Sequence, residues 1–364
     1  MTRTKILNIG IDLGTSRSVI ACDNGVRTFV PSYVGYPKDA VSRKMFRQDV
    51  VFGDEALRNK MALDLYRPFD KGQLKYSDTL DKQKNADQYK KTVKVARALL
   101  RHLISLGMEE DDEYHDRLKI RAVLGAPALA SVKNKKTLLE IADGIVTDVM
   151  IATEPFCVAY GLGLFSNALI IDIGAGTVDL CRMHGTVPTL EDQITTLKAG
   201  DYVDRVFFDL IMKKYPNANF TVNMVKTFKE DNATVSGTVE KVFIELPVKG
   251  KPTRYDVTAE LREACRAIVP DIVKGIQKLI STFDPEFQQG LKDNVILAGG
   301  GSQIVGLKRE IEEYMQENLG YGRVIKSEEP LYAGANGALR LCKDMPAEYW
   351  QKVRSKATVA SGSK

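Results

Sequence analysis

The chain has 364 residues, 44% of them apolar and 27% charged, a balance that suits a globular protein of about two domains. Its formal charge of +5 is too mild for a dedicated nucleic-acid coat, and no stretch approaches the ~20 apolar residues of a membrane span. Five scattered cysteines without a C-x-x-C pair read as reduced thiols of a cytosolic protein, and His102, His115 and His184 stand at no metal-ligand spacing.

Met1-Thr2-Arg3-Thr4-Lys5 is expected to enter the first strand directly, without a signal peptide or amphipathic anchor. Residues 5–12 and 17–22 read as a hairpin and 26–31 as a third strand. From about 33 to 90 the periodicity loosens, and Gly35-Tyr36-Pro37, Arg67-Pro68 and a charged stretch at 70–91 suggest a small insertion. A helix fits 88–106, with Val93, Ala96, Leu99, Leu100, Leu103 and Ile104 on one face and Gly107 at its end. The acidic run Glu109–Glu113 reads as a solvated loop.

Strands at 118–125 and 148–153, each followed by a helix (131–145, and from Glu154 through 164), give the strand–helix alternation of an α/β architecture. A further strand pair starts near 169. Residues 201–262 read as a second insertion, with a helix near 201–214 and strands near 235–247. Pro270 should kink or break the helical stretch 258–283. A strand at 294–298 runs into a glycine turn, and an amphipathic helix follows with Ile304, Leu307, Ile311, Tyr314, Met315 and Leu319 inward. The last helix, near 333–342, is rich in small residues, and the Ser- and Lys-rich tail from about Val353 reads as disordered.

The strongest motif is a duplication. Ile9-Gly10-Ile11-Asp12-Leu13-Gly14-Thr15-Ser16 and Ile170-Ile171-Asp172-Ile173-Gly174-Ala175-Gly176-Thr177 both run an apolar strand into Asp-x-Gly and out into a second strand. A single Asp-x-Gly is usually a plain turn. Two mark related halves whose hairpins could face each other across a cleft and grip a nucleotide triphosphate with its metal. Gly14 and Gly174 let backbone N–H groups point at phosphate oxygens. Thr15, Ser16 and Thr177 add hydroxyl donors, and Asp12 and Asp172 suit Mg²⁺, which keeps most of its waters. Gly299-Gly300-Gly301-Ser302 would let a base or ribose lie against bare backbone at a helix start. Glu154, at a strand end before Pro155, could orient or deprotonate a water in line with a γ-phosphate.

These elements, in this order over about residues 5–345, resemble the actin–Hsp70–sugar kinase superfamily. The resemblance implies a duplicated actin-like (ribonuclease H-like) α/β fold, with two domains flanking a nucleotide cleft and a smaller subdomain inserted in each. On that plan residues 1–33, 91–155 and 334–352 form the first core with 34–90 inserted. Residues 156–200 and 263–333 form the second with 201–262 inserted, and 353–364 are tail. The resemblance implies phosphate loops at Asp12, Leu13, Gly14, Thr15 and Ser16 and at Gly174, Ala175, Gly176 and Thr177. It adds Gly200 and Asp201 to the nucleotide-binding set, Lys229 and Glu230 flanking adenine, an adenosine loop at Gly299–Ser302, and a connecting helix at Ala333–Leu339. The usual basic residue at the first loop has no clear counterpart, Arg17 being the nearest candidate. By the same analogy Glu154 and Asp172 are catalytic and the cofactors are ATP or ADP with Mg²⁺ held through water at Asp12 and Asp172.

The length is too short for an Hsp70 chaperone, and no residue suits a sugar kinase's catalytic Asp. Within the bacterial actins, Val34–Asp39, Gly53–Ala56, Glu154–Phe156, Gly185–Pro188, Glu191–Gln193, Lys198–Gly200, Tyr202–Asp204, Gly337–Leu341, Pro346 and Tyr349-Trp350 are similar to the branch that organises magnetosomes. That implies an ATPase assembling into double-stranded cytoplasmic filaments along the magnetosome chain, with itself and a magnetosome-associated adaptor as partners and no direct membrane or nucleic-acid contact. An MreB-like cell-shape actin, a plasmid-segregating actin and a small-molecule kinase remain the alternatives.

Overall fold

In a computed structural model the described residues are 5–77, 84–108, 118–237 and 240–350; the Glu109–Glu113 run and the tail from Val353 lie outside them. The chain divides into two compact units, Met1–Leu164 with Leu331–Lys364, and Phe165–Pro330.

The first unit opens with an antiparallel meander of β1 (Ile6–Leu13), β2 (Arg17–Cys22) and β3 (Arg27–Pro31). A small region follows: β4 (Val34–Pro37), α1 (Ala40–Phe46), β5 (Val51–Phe52), α2 (Gly53–Arg58), β6 (Leu63–Tyr66) and a tight hairpin of β7 (Phe69–Asp70) and β8 (Gln73–Leu74). Asp39 starts α1 with a capping box closed by Ser42. Next come α3 (Ala86–Leu106), β9 (Lys119–Ala126), α4 (Val132–Ala142), β10 (Asp148–Thr153) and α5 (Glu154–Leu162). The main sheet has the order β10-β9-β1-β2-β3. The face expected on α3 is the buried one: Leu99, Leu100 and Leu103 are fully enclosed, each worth ~2 kcal/mol of apolar burial.

The second unit repeats that sheet. It contains β11 (Ser166–Ile173), β12 (Val178–His184) and β13 (Gln193–Thr196), then α6 (Gly200–Lys214) and α7 (Val222–Asn232). A hairpin of β14 (Phe243–Val248) and β15 (Lys251–Asp256) leads to α8 (Thr258–Arg266), α9 (Val269–Ser281) and α10 (Pro285–Asp293). The unit closes with β16 (Val295–Ala298), α11 (Leu307–Leu319) and β17 (Val324–Lys326). Its order, β13-β12-β11-β16-β17, matches the first sheet strand for strand. In both sheets a central strand pairs antiparallel with the next strand and parallel with a later one.

The chain then returns to the first unit as α12 (Ala333–Asp344). Its small residues have a packing reason: any Cβ on Gly337 would collide with the Cys157 carbonyl, and one on Gly161 would sit 2.8 Å from Gly337 Cα. That close approach groups α5 with the first unit, so the boundary falls after Leu164 rather than at 155. Trp350, fully buried against Val123, Cys157, Ala338, Leu341 and Cys342, fastens the end of the described chain to the same layer.

Two stretches test the local reading. Pro270 breaks the helical stretch as expected, leaving α8 and α9 with the proline in the first turn of α9. The strands expected near 235–247 are instead the hairpin Phe243–Asp256. Lys249 (φ 47°) and Gly250 (φ 81°) turn it, a left-handed pair that suits a two-residue hairpin loop. Thr234 makes only a lone bridge to Val305. Among the described residues no helix is long and apolar enough to cross a membrane.

All five cysteines are buried and none forms a disulfide. Burial disfavours the thiolate, pushing Cys22, Cys181 and Cys342 up to about 12 and Cys265 to about 11. Ellman's reagent at pH 8 should therefore leave the native protein essentially unlabelled and modify every cysteine in guanidinium; rapid native labelling would contradict this packing.

Candidate functional site

The predicted residues fall into two groups, one in each unit. In the first unit, Leu13 pairs with Ser18, so the turn Gly14–Arg17 closes β1 onto β2. A Cβ on Gly14 would lie 2.5 Å from the Arg17 carbonyl, so the turn admits no side chain there. Leu13 itself points into the core and offers only backbone. The turn is held from outside: Ser32 Oγ donates to Gly14 O (2.8 Å), Gly72 N–H to Thr15 Oγ1 (3.0 Å), and Arg67 Nε–H to Thr15 O (2.9 Å). Thr15 is buried, its hydroxyl accepting from Gly72 and retaining its own proton to donate. Ser16 is half-buried.

Asp12 and Glu154 meet around Gly125, where a Cβ would stand 3.1 Å from Glu154 Cγ and 3.8 Å from Asp12 Cα. Glu154 is the first residue of α5, with Pro155 behind it, as its sequence position suggested. The Arg17 guanidinium lies over the Phe29 ring, 5.6 Å from the centroid. Arg67, from the small region after β3, reaches the loop backbone at Thr15 O. Sequence reasoning missed it, since Arg67-Pro68 signals only a loop and nothing in its spacing points to Thr15.

The second unit builds the same turn with other supports. Ile173 pairs with Val178, and Gly174 N–H donates to Thr177 O (2.9 Å). The first turn of α6 backs the loop: Gly200 N–H donates to Gly174 O (3.1 Å) and Asp201 N–H to Ala175 O (2.8 Å). Gly176 and Thr177 are buried, whereas Asp172, Gly174 and Ala175 are partly open. Gly299 (φ 74°) stands against Asp172, so closely that a Cβ would collide with the carboxylate and with the Ile173 carbonyl. Gly300, Gly301 and Ser302 form a single 3₁₀ turn after it, with Ser302 Oγ donating to Gly299 O (2.7 Å). Asp172 and the glycine turn are thus brought together.

The Lys229 ammonium turns inward, 2.6 Å from Asp204 Oδ1, and donates to Gly200 O (3.3 Å). Glu230 pairs along its own helix with Lys226 at 4.0 Å.

Each unit therefore presents a carboxylate at a strand end beside a side-chain-poor turn of N–H donors, an arrangement that suits phosphate. Among the described residues no group of three or more His, Cys, Asp or Glu could hold a metal. A cation at Asp12 or Asp172 would take most ligands from water and phosphate, and hard carboxylate oxygens fit Mg²⁺ on those terms.

Gly299→Ala should lower the melting temperature well beyond Gly25→Ala, since both replace a positive-φ glycine but only Gly299 has Asp172 and Ile173 in the way. The crowded site should lose roughly 1–3 kcal/mol; equal shifts would show that the Asp172 contact does not constrain the turn.

Comparison with known proteins covers the chain nearly end to end. The MreB/Mbl protein family profile matches residues 87–348. The actin-like protein MamK of Paramagnetospirillum magneticum is 38% identical over 347 residues, 95% of each chain. The solved MamK double helical filament superposes with a TM-score of 0.85 at 37% identity, covering 94% of this chain and all of that one. A non-polymerising MamK variant bound to AMPPNP gives 0.68 at 36% identity, over 94% of this chain and all of that one.

Proposed function

Because the chain belongs to the MreB/Mbl family of actin-like proteins, we propose that it is an ATP-dependent, filament-forming ATPase that organises and aligns magnetosomes in the bacterial cytoplasm. The observation that carries the reading is the full-length likeness to a filament subunit, in sequence and fold together. The nucleotide part is supported by the duplicated turns and by a relative bound to AMPPNP.

In this reading the Gly14–Ser16 and Gly174–Thr177 turns would offer N–H and hydroxyl donors to the phosphates, the Gly174 N–H itself being used by Thr177 O, and Asp12 and Asp172 would hold Mg²⁺ through water. Mg²⁺ supplies neutralisation of phosphate charge when it is bound with the nucleotide. Glu154 orients the attacking water or accepts its proton. Stem and helix surface around Lys229–Glu230, with the Gly299–Ser302 turn, take the base and ribose. Nucleotide binding fixes a subunit conformation that polymerises, and loss of the γ-phosphate weakens that preference. Subunits add head to tail into double-stranded filaments, and a magnetosome-associated adaptor connects them to their cargo.

Pelleting and negative-stain microscopy with Mg-ATP and without nucleotide test the reading. Filaments that require nucleotide are expected; a protein that binds ATP and hydrolyses it but stays monomeric would favour a small-molecule kinase. Glu154→Ala should bind ATP and pellet like wild type while phosphate release falls by about 10²-fold or more. Wild-type turnover in that variant would remove Glu154 from the mechanism.

A further inference from the structure

Asp204 carries no role in the nucleotide reading, yet its burial is unusual. It is 2% exposed, one turn into α6, and faces the Lys229 ammonium at 2.6 Å, with both side chains nearly enclosed. Isolated charges are rarely left inside a protein, and a buried pair is weak evidence for stability alone; its better-attested use is to fix one packing arrangement. Burial pulls the Asp204 carboxyl up from its usual value, and the Lys229 charge and hydrogen bond pull it back.

The pair stands where the nucleotide elements of the second unit join. On one side, Gly200 and Asp201 hold the second phosphate loop through Gly174 and Ala175. On the other, Lys229 belongs to α7, and the chain beyond α7 is tied to the segment after the glycine turn: Val235 N–H donates to Val305 O (2.9 Å) and Val305 N–H to Ala233 O (3.0 Å). The glycine turn in turn abuts Asp172. Lys229 donating to Gly200 O closes the circuit between the base-side helix and the phosphate-side helix.

We infer that Asp204 and Lys229 are positioning residues that lock the base-flanking helix α7 to the first turn of α6, so that base and phosphates are held in one fixed register. The inference rests on the nucleotide reading above. It separates two contributions, because the phosphate loop keeps its own backbone bonds to Gly200 and Asp201 when the pair is removed, whereas α7 keeps only its apolar packing on α6, Phe228 and Val225 near Phe207, and loses the polar contact that fixes its register.

The test is calorimetric titration of full-length wild type, Asp204→Asn, Lys229→Met and the double variant. The titrants are Mg-ATP and Mg-tripolyphosphate, the latter a phosphate chain without ribose or base. Melting temperatures are recorded without ligand. Each single variant should lose about tenfold in ATP affinity, with tripolyphosphate affinity changing less than about twofold and the double variant no worse than either single. Parallel loss for both ligands, or ATP affinity equal to wild type, would overturn the inference while leaving the nucleotide reading intact; wild type that fails to bind ATP would overturn that reading itself. Should Asp204→Asn not fold, the double variant, which leaves no lone buried charge, gives the same comparison.

Discussion

A strand buried on both faces can offer polar atoms only where it ends. β1 and β11 are such strands over Ile9–Ile11 and Ala168–Ile171, where each is buried, apolar and flanked by neighbours on both edges. The carboxylates of the candidate site accordingly lie toward the carboxyl ends of these strands, Asp12 and Asp172 each beside its turn. Gly14 and Gly174 follow because the turn must close within four residues without side chains in its way.

The turns are duplicated but their supports are not. The first is braced by Ser32, Gly72 and Arg67, the last two from the small region inserted after β3. The second is braced by the start of α6, which is itself pinned by Lys229 and Asp204. The two Asp-x-Gly turns are thus anchored to different parts of the chain. Small residues serve a matching purpose elsewhere: Gly10, Gly161 and Gly337 let α12 press against β1 and α5, so the last helix becomes part of the first unit's core.

Periodicity made much of this legible before any coordinates. The α3 face, the break at Pro270 and both Asp-x-Gly hairpins follow from local rules that burial then enforces. The β14–β15 hairpin was misplaced by several residues because its turn is Lys249-Gly250, and a lysine at positive φ carries no sequence signal. Arg67 and Asp204 were missed for a different reason: each acts across tens of residues, and no spacing rule relates Arg67 to Thr15 or Asp204 to Lys229. Lys229 was found through family resemblance, but only the structure shows its ammonium turned inward.

In the proposed function the Asp12 and Asp172 turns both bind the phosphates of Mg-ATP. Mg-ATP affinity measured for Asp12→Asn and Asp172→Asn beside wild type tests it most directly, with melting temperatures as a control for folding. Each substitution alone should weaken binding by about tenfold or more. A folded variant of either kind that binds Mg-ATP as tightly as wild type would show that its turn is a structural hairpin, and the duplication would then lose its functional meaning.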